Sequence, residues 1–241
     1  MLAVTTMSPK AQQTYGLKMM EGLVKHFPGK IVAYLEDSPP DLEGVEFRDF
    51  HSIKDADRFL KRIESVFGAN GIGHDNYDYR FDCNRFCRKV FAQEAVFDED
   101  EYVFWFDSDC RIFRDFQPEF LRSLFNGKAL AFLGRKSTPG LNCYTETGFV
   151  GFHTKHPEFQ MFRANYLPYF TTGRIFSQLK GWHDCIAFDY ARQGTGNNLT
   201  PDGAGMNHVL RISVLRDYME HLKGELKNDL GRVPEAQPQA A

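Results

Sequence analysis

Nowhere in the 241 residues does an apolar run approach the roughly 20 residues that a helix needs to cross a bilayer. The amino terminus, Met1-Leu2-Ala3-Val4-Thr5-Thr6, lacks the basic segment and long apolar stretch of a secretion signal. Both absences lead to the expectation of a cytoplasmic protein, in which the Asn198-Leu199-Thr200 sequon carries no information. Cysteine is sparse. Cys83, Cys87, Cys110, Cys143 and Cys185 are odd in number and show no Cys-x-x-Cys spacing, which argues for buried thiols and against a disulfide framework. Lys and Arg form no dense run and the net charge is only −3, so nothing invites nucleic acid. Internal repeats and a linker-like stretch are missing too, which favours a single domain over residues 1–227. Residues 233–241 are mostly Pro, Gln and Ala, and the expectation for 228–241 is a flexible tail.

What the chain has in quantity is phenylalanine, 23 residues of it, within a 42% hydrophobic composition that can bury one large core. Residues 2–6 read as a first strand, and Ser8-Pro9 as the cap and first turn of a helix. Met20, Leu23, Val24 and Phe27 give that helix its apolar stripe, and Pro28-Gly29 ends it before a strand at 30–35. Such a β-α-β unit is the building block of parallel sheets. Helical spacing predicts helices over 55–67, 79–97, 155–170, 182–192 and 214–222. Strands are expected at 102–106, 129–133, 149–152 and 208–213. This alternation, with a few strands adjacent in sequence, indicates one α/β domain around a mixed sheet.

The densest chemistry follows the run Tyr102-Val103-Phe104-Trp105-Phe106. Five bulky β-formers in succession read as a strand buried on both faces, and it empties into Asp107-Ser108-Asp109. Ligands of open α/β sheets gather outside the carboxyl ends of strands. Side chains at i and i+2 of an extended segment share a face, so Asp107 and Asp109 can converge on one point. Two close carboxylates repel unless a positive group lies between them. A hard divalent cation, Mn²⁺ or Mg²⁺, suits oxygen ligands and often bridges to substrate phosphates. The plainer alternative is a polar turn leading into residues 111–116.

A second pattern stands near the carboxyl end, His221-Leu222-Lys223-Gly224-Glu225-Leu226-Lys227, with the spacing H-x-x-G-x-x-K. An imidazole can complete a carboxylate-bound metal site, Gly allows close backbone approach, and Lys can pair with a phosphate. Equally, Gly224 could end a helix whose last turn carries His and Lys to suit the dipole. His208, after a Gly-rich loop, rivals His221 as third metal ligand.

Taken together, the Asp-x-Asp and H-x-x-G-x-x-K patterns resemble the nucleotide-sugar-dependent glycosyltransferases of the GT-A fold, and especially the glycogenin-like retaining branch. The resemblance implies a Rossmann-like three-layer sandwich and a metal held by Asp107, Asp109 and His221. It also implies phosphate contacts from Gly224 and Lys227, although this chain has Asn228-Asp229 where the family has Pro-Trp. By the same resemblance Val4, Thr5 and Thr6 contact the nucleotide base, Tyr15 stacks on it, and one of Arg80, Arg85 and Lys89 meets the diphosphate or sugar. The rest of those cations read as a solvated helix face. Glu146, in Tyr144-Thr145-Glu146-Thr147-Gly148-Phe149, and Asp184, in Trp182-His183-Asp184-Cys185, resemble donor- and acceptor-side groups that would act in catalysis. Asp184 as an N-cap and Glu146 as a loop residue are the structural alternatives. The implied reaction moves a sugar from a UDP-sugar to a carbohydrate or other hydroxyl acceptor, with retention of configuration. Two other classes compete: a haloacid-dehalogenase-like Mg²⁺ phosphatase, which would need a further acidic pair that this chain lacks as Asp-Asp, and a catalytically silent carbohydrate-binding protein.

Overall fold

The structure, a computed structural model, describes residues 1–73, 76–135, 144–200, 209–224 and 227. Strand β1 (Leu2–Met7) leads to Ser8, whose hydroxyl accepts from the Ala11 amide and caps α1 (Pro9–Ala11). A π-turn at Gln12–Gly16 carries the chain into α2 (Leu17–His26), and β2 (Lys30–Leu35) returns parallel to β1. The short β3 (Glu46–Asp49) follows, then α3 (Ala56–Ile63), α4 (Cys83–Glu94), β4 (Tyr102–Phe106), β5 (Cys110–Ile112) and α5 (Pro118–Ser123). Beyond them run β6 (Leu130–Leu133), β7 (Glu146–His153), α6 (Pro157–Thr171), α7 (Arg174–Gln178), α8 (Asp184–Arg192), β8 (Asn197–Asn198) and β9 (Met219–His221).

Among the described residues, seven strands form one mixed sheet in the order β3-β2-β1-β4-β7-β6-β8. β1 pairs in parallel with both β2 and β4, whereas β7 runs antiparallel to β4 and β6. The chain builds outward from β1 to β3, then crosses back to lay β4 on the other side of β1. That reversal falls between β1 and β4, and the carboxyl ends of strands at such a reversal are where α/β sheets take ligands. Strand alternation sorts the central side chains onto two faces. Val4, Val103 and Trp105 pack with Phe91, Phe162 and Phe188 of α4, α6 and α8. Ala3, Phe104 and Phe106 pack with Met20 and Leu23 of α2 and Leu121 of α5. Helices on both faces of a mixed sheet are the three-layer α/β architecture expected from the sequence.

Several boundaries differ from the sequence reading, each for a local reason. Asp82 accepts from the Arg85 amide and starts α4 at Cys83, leaving Tyr79–Phe81 as a separate 3₁₀ turn capped by Asp78. α3 stops at Ile63, and Phe67, expected on its apolar stripe, is mostly exposed. β3 has no signal in the sequence because it is a partly exposed edge strand without an apolar face. Residues 209–212 are a 3₁₀ turn in place of the expected strand. The expected helix at 214–222 is a 3₁₀ turn (Val214–Asp217) followed by β9, which pairs antiparallel with β5. The Ser213 hydroxyl caps that turn by accepting from the Leu215 amide, but an open strand edge stops the helix from continuing: β5 offers its ladder groups, and Met219 buries its side chain. His208, Cys143 and residues 228–241 lie outside the described residues.

Candidate active site

The two aspartates do converge, but through a turn, which corrects the extended geometry expected of them. The Cys110 amide donates to the Asp107 carbonyl at 3.0 Å, closing a four-residue turn that aims both carboxylates the same way. β5 begins at once and pairs Cys110 with His221 of β9, and the Leu222 amide donates to the Asp109 carbonyl. This small ladder brings His221 across 112 positions of sequence to Asp109, with Nε2 2.8 Å from Oδ1. One ligand atom from each of Asp107, Asp109 and His221 falls within 4.8 Å of the other two, a grouping suited to one cation. Gly224 has φ +58, as a glycine tolerates, but no helix precedes it, so the helix-ending alternative falls away.

An indole, two ammonium groups and one imidazole surround the two carboxylates. Asp107 Oδ1 accepts from the Trp105 indole at 2.7 Å and sits 2.8 Å from Lys89 Nζ. Oδ2 is left facing His221 Nε2 at 3.8 Å. Asp109 Oδ2 pairs with Lys227 Nζ at 2.6 Å. Burial alone would raise the Asp109 carboxyl, but His221 and Lys227 outweigh it and hold the group well below the ordinary range. On the far side of the imidazole, His221 Nδ1 lies 3.1 Å from Glu146 Oε1. Burial pulls against a charged imidazole, yet Asp109 and Glu146 prevail and push His221 up to about 9. Gly148 makes room for this ring: a Cβ there would lie 2.5 Å from Nδ1.

Glu146, expected to face sugar, is nearly enclosed and ion-paired with Arg135 and Lys223 as well as His221. Burial would raise its carboxyl, but His221 and Lys223 hold it well below the ordinary range. Asp184 does begin α8, yet it caps nothing: it is fully buried, 2.8 Å from Lys89 Nζ, and accepts from the Thr147 hydroxyl. Lys89 also donates to the Thr147 carbonyl and hydroxyl, at 3.0 and 3.1 Å. Far from lying on a solvated helix face, this ammonium is buried and its hydrogen-bonding capacity is filled within the protein. Burial would lower it, but Asp107 and Asp184 raise it well above the ordinary range.

The other expected residues divide. Lys227 Nζ stands 5.3 Å over the Tyr15 ring, which joins Tyr15 to the cluster, and Arg85 lies near enough to feel Tyr15 and Asp109. Arg80 is instead committed to Asp78 at 2.6 Å. The Val4 side chain belongs to the core, Thr5 is buried with its hydroxyl unpaired, and the Thr6 hydroxyl donates to the Tyr34 carbonyl at 2.9 Å. Sequence reasoning missed three contributors. Trp105 could have been found, because it shares a strand face with Asp107 at i and i+2. Arg135 and Lys223 had no such signal, since only the fold brings them to Glu146. A second grouping, His183, Asp184 and Cys185, also has ligand atoms within 4.8 Å, but the Lys89 ammonium already occupies Asp184.

No protein-family profile matches the chain, and no curated protein does. Among solved structures, the chain is similar to the apo form of mouse xyloside xylosyltransferase 1, with TM-score 0.49 and 9% identity, over 78% of each chain. It is also similar to apo GlyE, a glycosyltransferase of Streptococcus pneumoniae TIGR4, with TM-score 0.48 and 13% identity, over 82% of this chain and 44% of that one. A third is the apo bifunctional glycosyltransferase WbbM, with TM-score 0.46 and 14% identity, over 78% of this chain and 36% of that one. The chain thus spans less than half the length of the last two.

Proposed function

We propose that this protein is a metal-dependent glycosyltransferase that moves a sugar from a nucleotide-sugar, by resemblance a UDP-sugar, to a hydroxyl acceptor. The observation that carries the reading is the convergence of Asp107, Asp109 and His221 at the sheet's reversal point, with Lys227 beside them. These donors, two carboxylate oxygens and an imidazole nitrogen, fit Mn²⁺ or Mg²⁺. A metal bound there would offset the negative charge that builds on a departing diphosphate.

The chain's own groups prepare that step. Lys89 and Trp105 hold Asp107 Oδ1, which leaves Oδ2 to face the cation position. Glu146 holds His221 through Nδ1, and Nε2, once deprotonated, would be the nitrogen that holds a cation. Lys227, now on Asp109, can swing to a phosphate oxygen. Asp184 and Glu146 serve as positioning groups, since Lys89 and the cations around Glu146 absorb their charge. Tyr15, under Lys227, remains the candidate to stack on the base.

The test is a thermal-shift screen of nucleotide-sugars with and without Mn²⁺. The expected outcome is a donor that stabilises the protein only with metal and fails to do so in Asp109→Ala. Equal stabilisation without metal would sink the reading. Release of UDP on adding an acceptor would separate the enzyme from a silent carbohydrate-binding protein, and phosphate release from an aryl phosphate would point to a phosphatase.

A further inference from the structure

Beside α3 lies a cavity of about 760 Å³, within the range of roughly 300–1,000 Å³ typical of small-molecule sites. It is framed by α3, residues 64–72 and the first two turns of α4, and no member of the cation cluster lines it. Leu60 and Ile63 form its wall on α3, and Val66, Phe67, Ala69 and Ile72 continue that wall. Ile63 and Ala69 are buried, whereas Phe67 and Ile72 are 67% and 58% exposed, so the apolar lining runs from the core out to the surface. Large apolar side chains exposed together around a concavity mark a binding groove. The wall is also fixed in advance. The Asn84 amide donates to the Ala69 carbonyl at 2.9 Å and the Asp78 amide to the Gly71 carbonyl at 2.7 Å, tying residues 69–71 to α4 and to the turn before it.

The polar lining defines what the cavity can hold. Arg88 Nε and Nη2 pair with Glu36 at 2.7 and 2.9 Å, and His51 Nδ1 lies 2.7 Å from Asp57 Oδ1, so the guanidinium and the imidazole are already committed. Lys61 and Glu64 have no ion-pair partner among the described residues, but their opposite charges stand three positions apart and offset each other. Two amides remain. Asn70 Oδ1 accepts from the Ile72 amide at 3.0 Å and Asn84 Oδ1 from Arg88 Nη1 at 3.1 Å, and neither Nδ2 has a partner among the described residues. Each asparagine therefore has an NH₂ group to donate. We propose that this cavity binds an uncharged small molecule that joins an apolar ring system to an oxygen acceptor such as a ketone or ether. The rings cover Leu60, Ile63 and Ile72, and the oxygen accepts from Asn70 or Asn84. A plain hydrocarbon would strip water from both amides and return no hydrogen bond. An anion would find every Arg and His of the lining paired, and its single open cation offset by Glu64.

Titrating the full chain with prodan, an uncharged naphthalene ketone whose emission moves to the blue on leaving water, tests this directly. The expected result is a saturable blue-shifted emission, with affinity cut by about fivefold in Ile72→Ser and in Asn84→Ala. Toluidinyl-naphthalene sulfonate, an anion with rings of similar size, should bind at least about tenfold more weakly. Ile72 and Asn84 are both exposed, so the variants should keep the parent's melting temperature. Methyl NMR on the parent protein needs no variant: prodan should move the methyl resonances of Leu60, Ile63 and Val66 at lower concentration than any others. No saturable emission, equal or tighter binding of the sulfonate, an affinity indifferent to both substitutions, or methyl shifts confined to other parts of the fold would overturn the site.

Discussion

Lys89 illustrates how much of the site is decided by single side chains. Its ammonium stands between Asp107 and Asp184 at 2.8 Å from each, in a setting that excludes water. Removing one partner of a buried ion pair leaves uncompensated charge and costs about 3–5 kcal/mol. Lys89→Met should therefore lower stability by that order in chemical denaturation, whereas Arg80→Met, which breaks only an exposed pair with Asp78, should change it by less than about 1 kcal/mol. Gly148→Ala probes packing instead. The added methyl would meet the His221 ring at 2.5 Å, so Mn²⁺ affinity, read by calorimetry, should fall by about tenfold or more while the cooperative melt survives. His221 also sets a pH dependence. Its pKa rises on folding to about 9 from an ordinary 6.5, so the protonated ring stabilises the metal-free fold. That contribution is complete below about pH 6.5 and disappears as pH climbs through about 9. Mn²⁺ must displace the same proton, so its affinity should strengthen with pH over this window; a flat profile would contradict His221 as a ligand.

At the scale of elements, legibility followed burial. β2 and β4 were readable to the residue because their apolar runs are buried on both faces and bounded by turns or charge. The Ser8 cap was readable because its chemistry is local. β9 was not. Its three residues, Met219, Glu220 and His221, form a strand only because β5 presents a free edge, and nothing nearby in sequence announces that edge. The site inherits the same split. The Asp107-Ser108-Asp109 turn is visible in sequence, whereas the enclosure of Glu146 and Asp184 by Arg135, Lys223 and Lys89 depends on tertiary placement. The β5-β9 ladder accordingly carries a prediction of its own. Glu220→Pro removes a backbone donor and restrains the backbone within that pairing. Metal-dependent donor stabilisation should be lost, while the seven-stranded sheet, which β9 does not join, should still unfold cooperatively.

Across the whole molecule, the pairing of β1 with β4 sets the Asp107–Cys110 turn at the sheet's reversal, and the β5-β9 pairing brings His221 from far along the chain to that turn. Donor binding should then depend on both ends of the sequence. Truncation after Leu222 removes Lys223, Gly224 and Lys227 but keeps β9, so nucleotide-sugar stabilisation should vanish while most of the core transition persists. Failure of the core itself would show that these residues hold the fold as well as the ligand. The central claim, that Asp107, Asp109 and His221 together hold one divalent cation, is tested most directly by anomalous diffraction from crystals grown with Mn²⁺ and UDP. A manganese peak bounded by those three side chains, with the diphosphate beside it, is expected; a peak on other ligands, or UDP bound with no manganese between it and the aspartates, would show that they do not hold the cation.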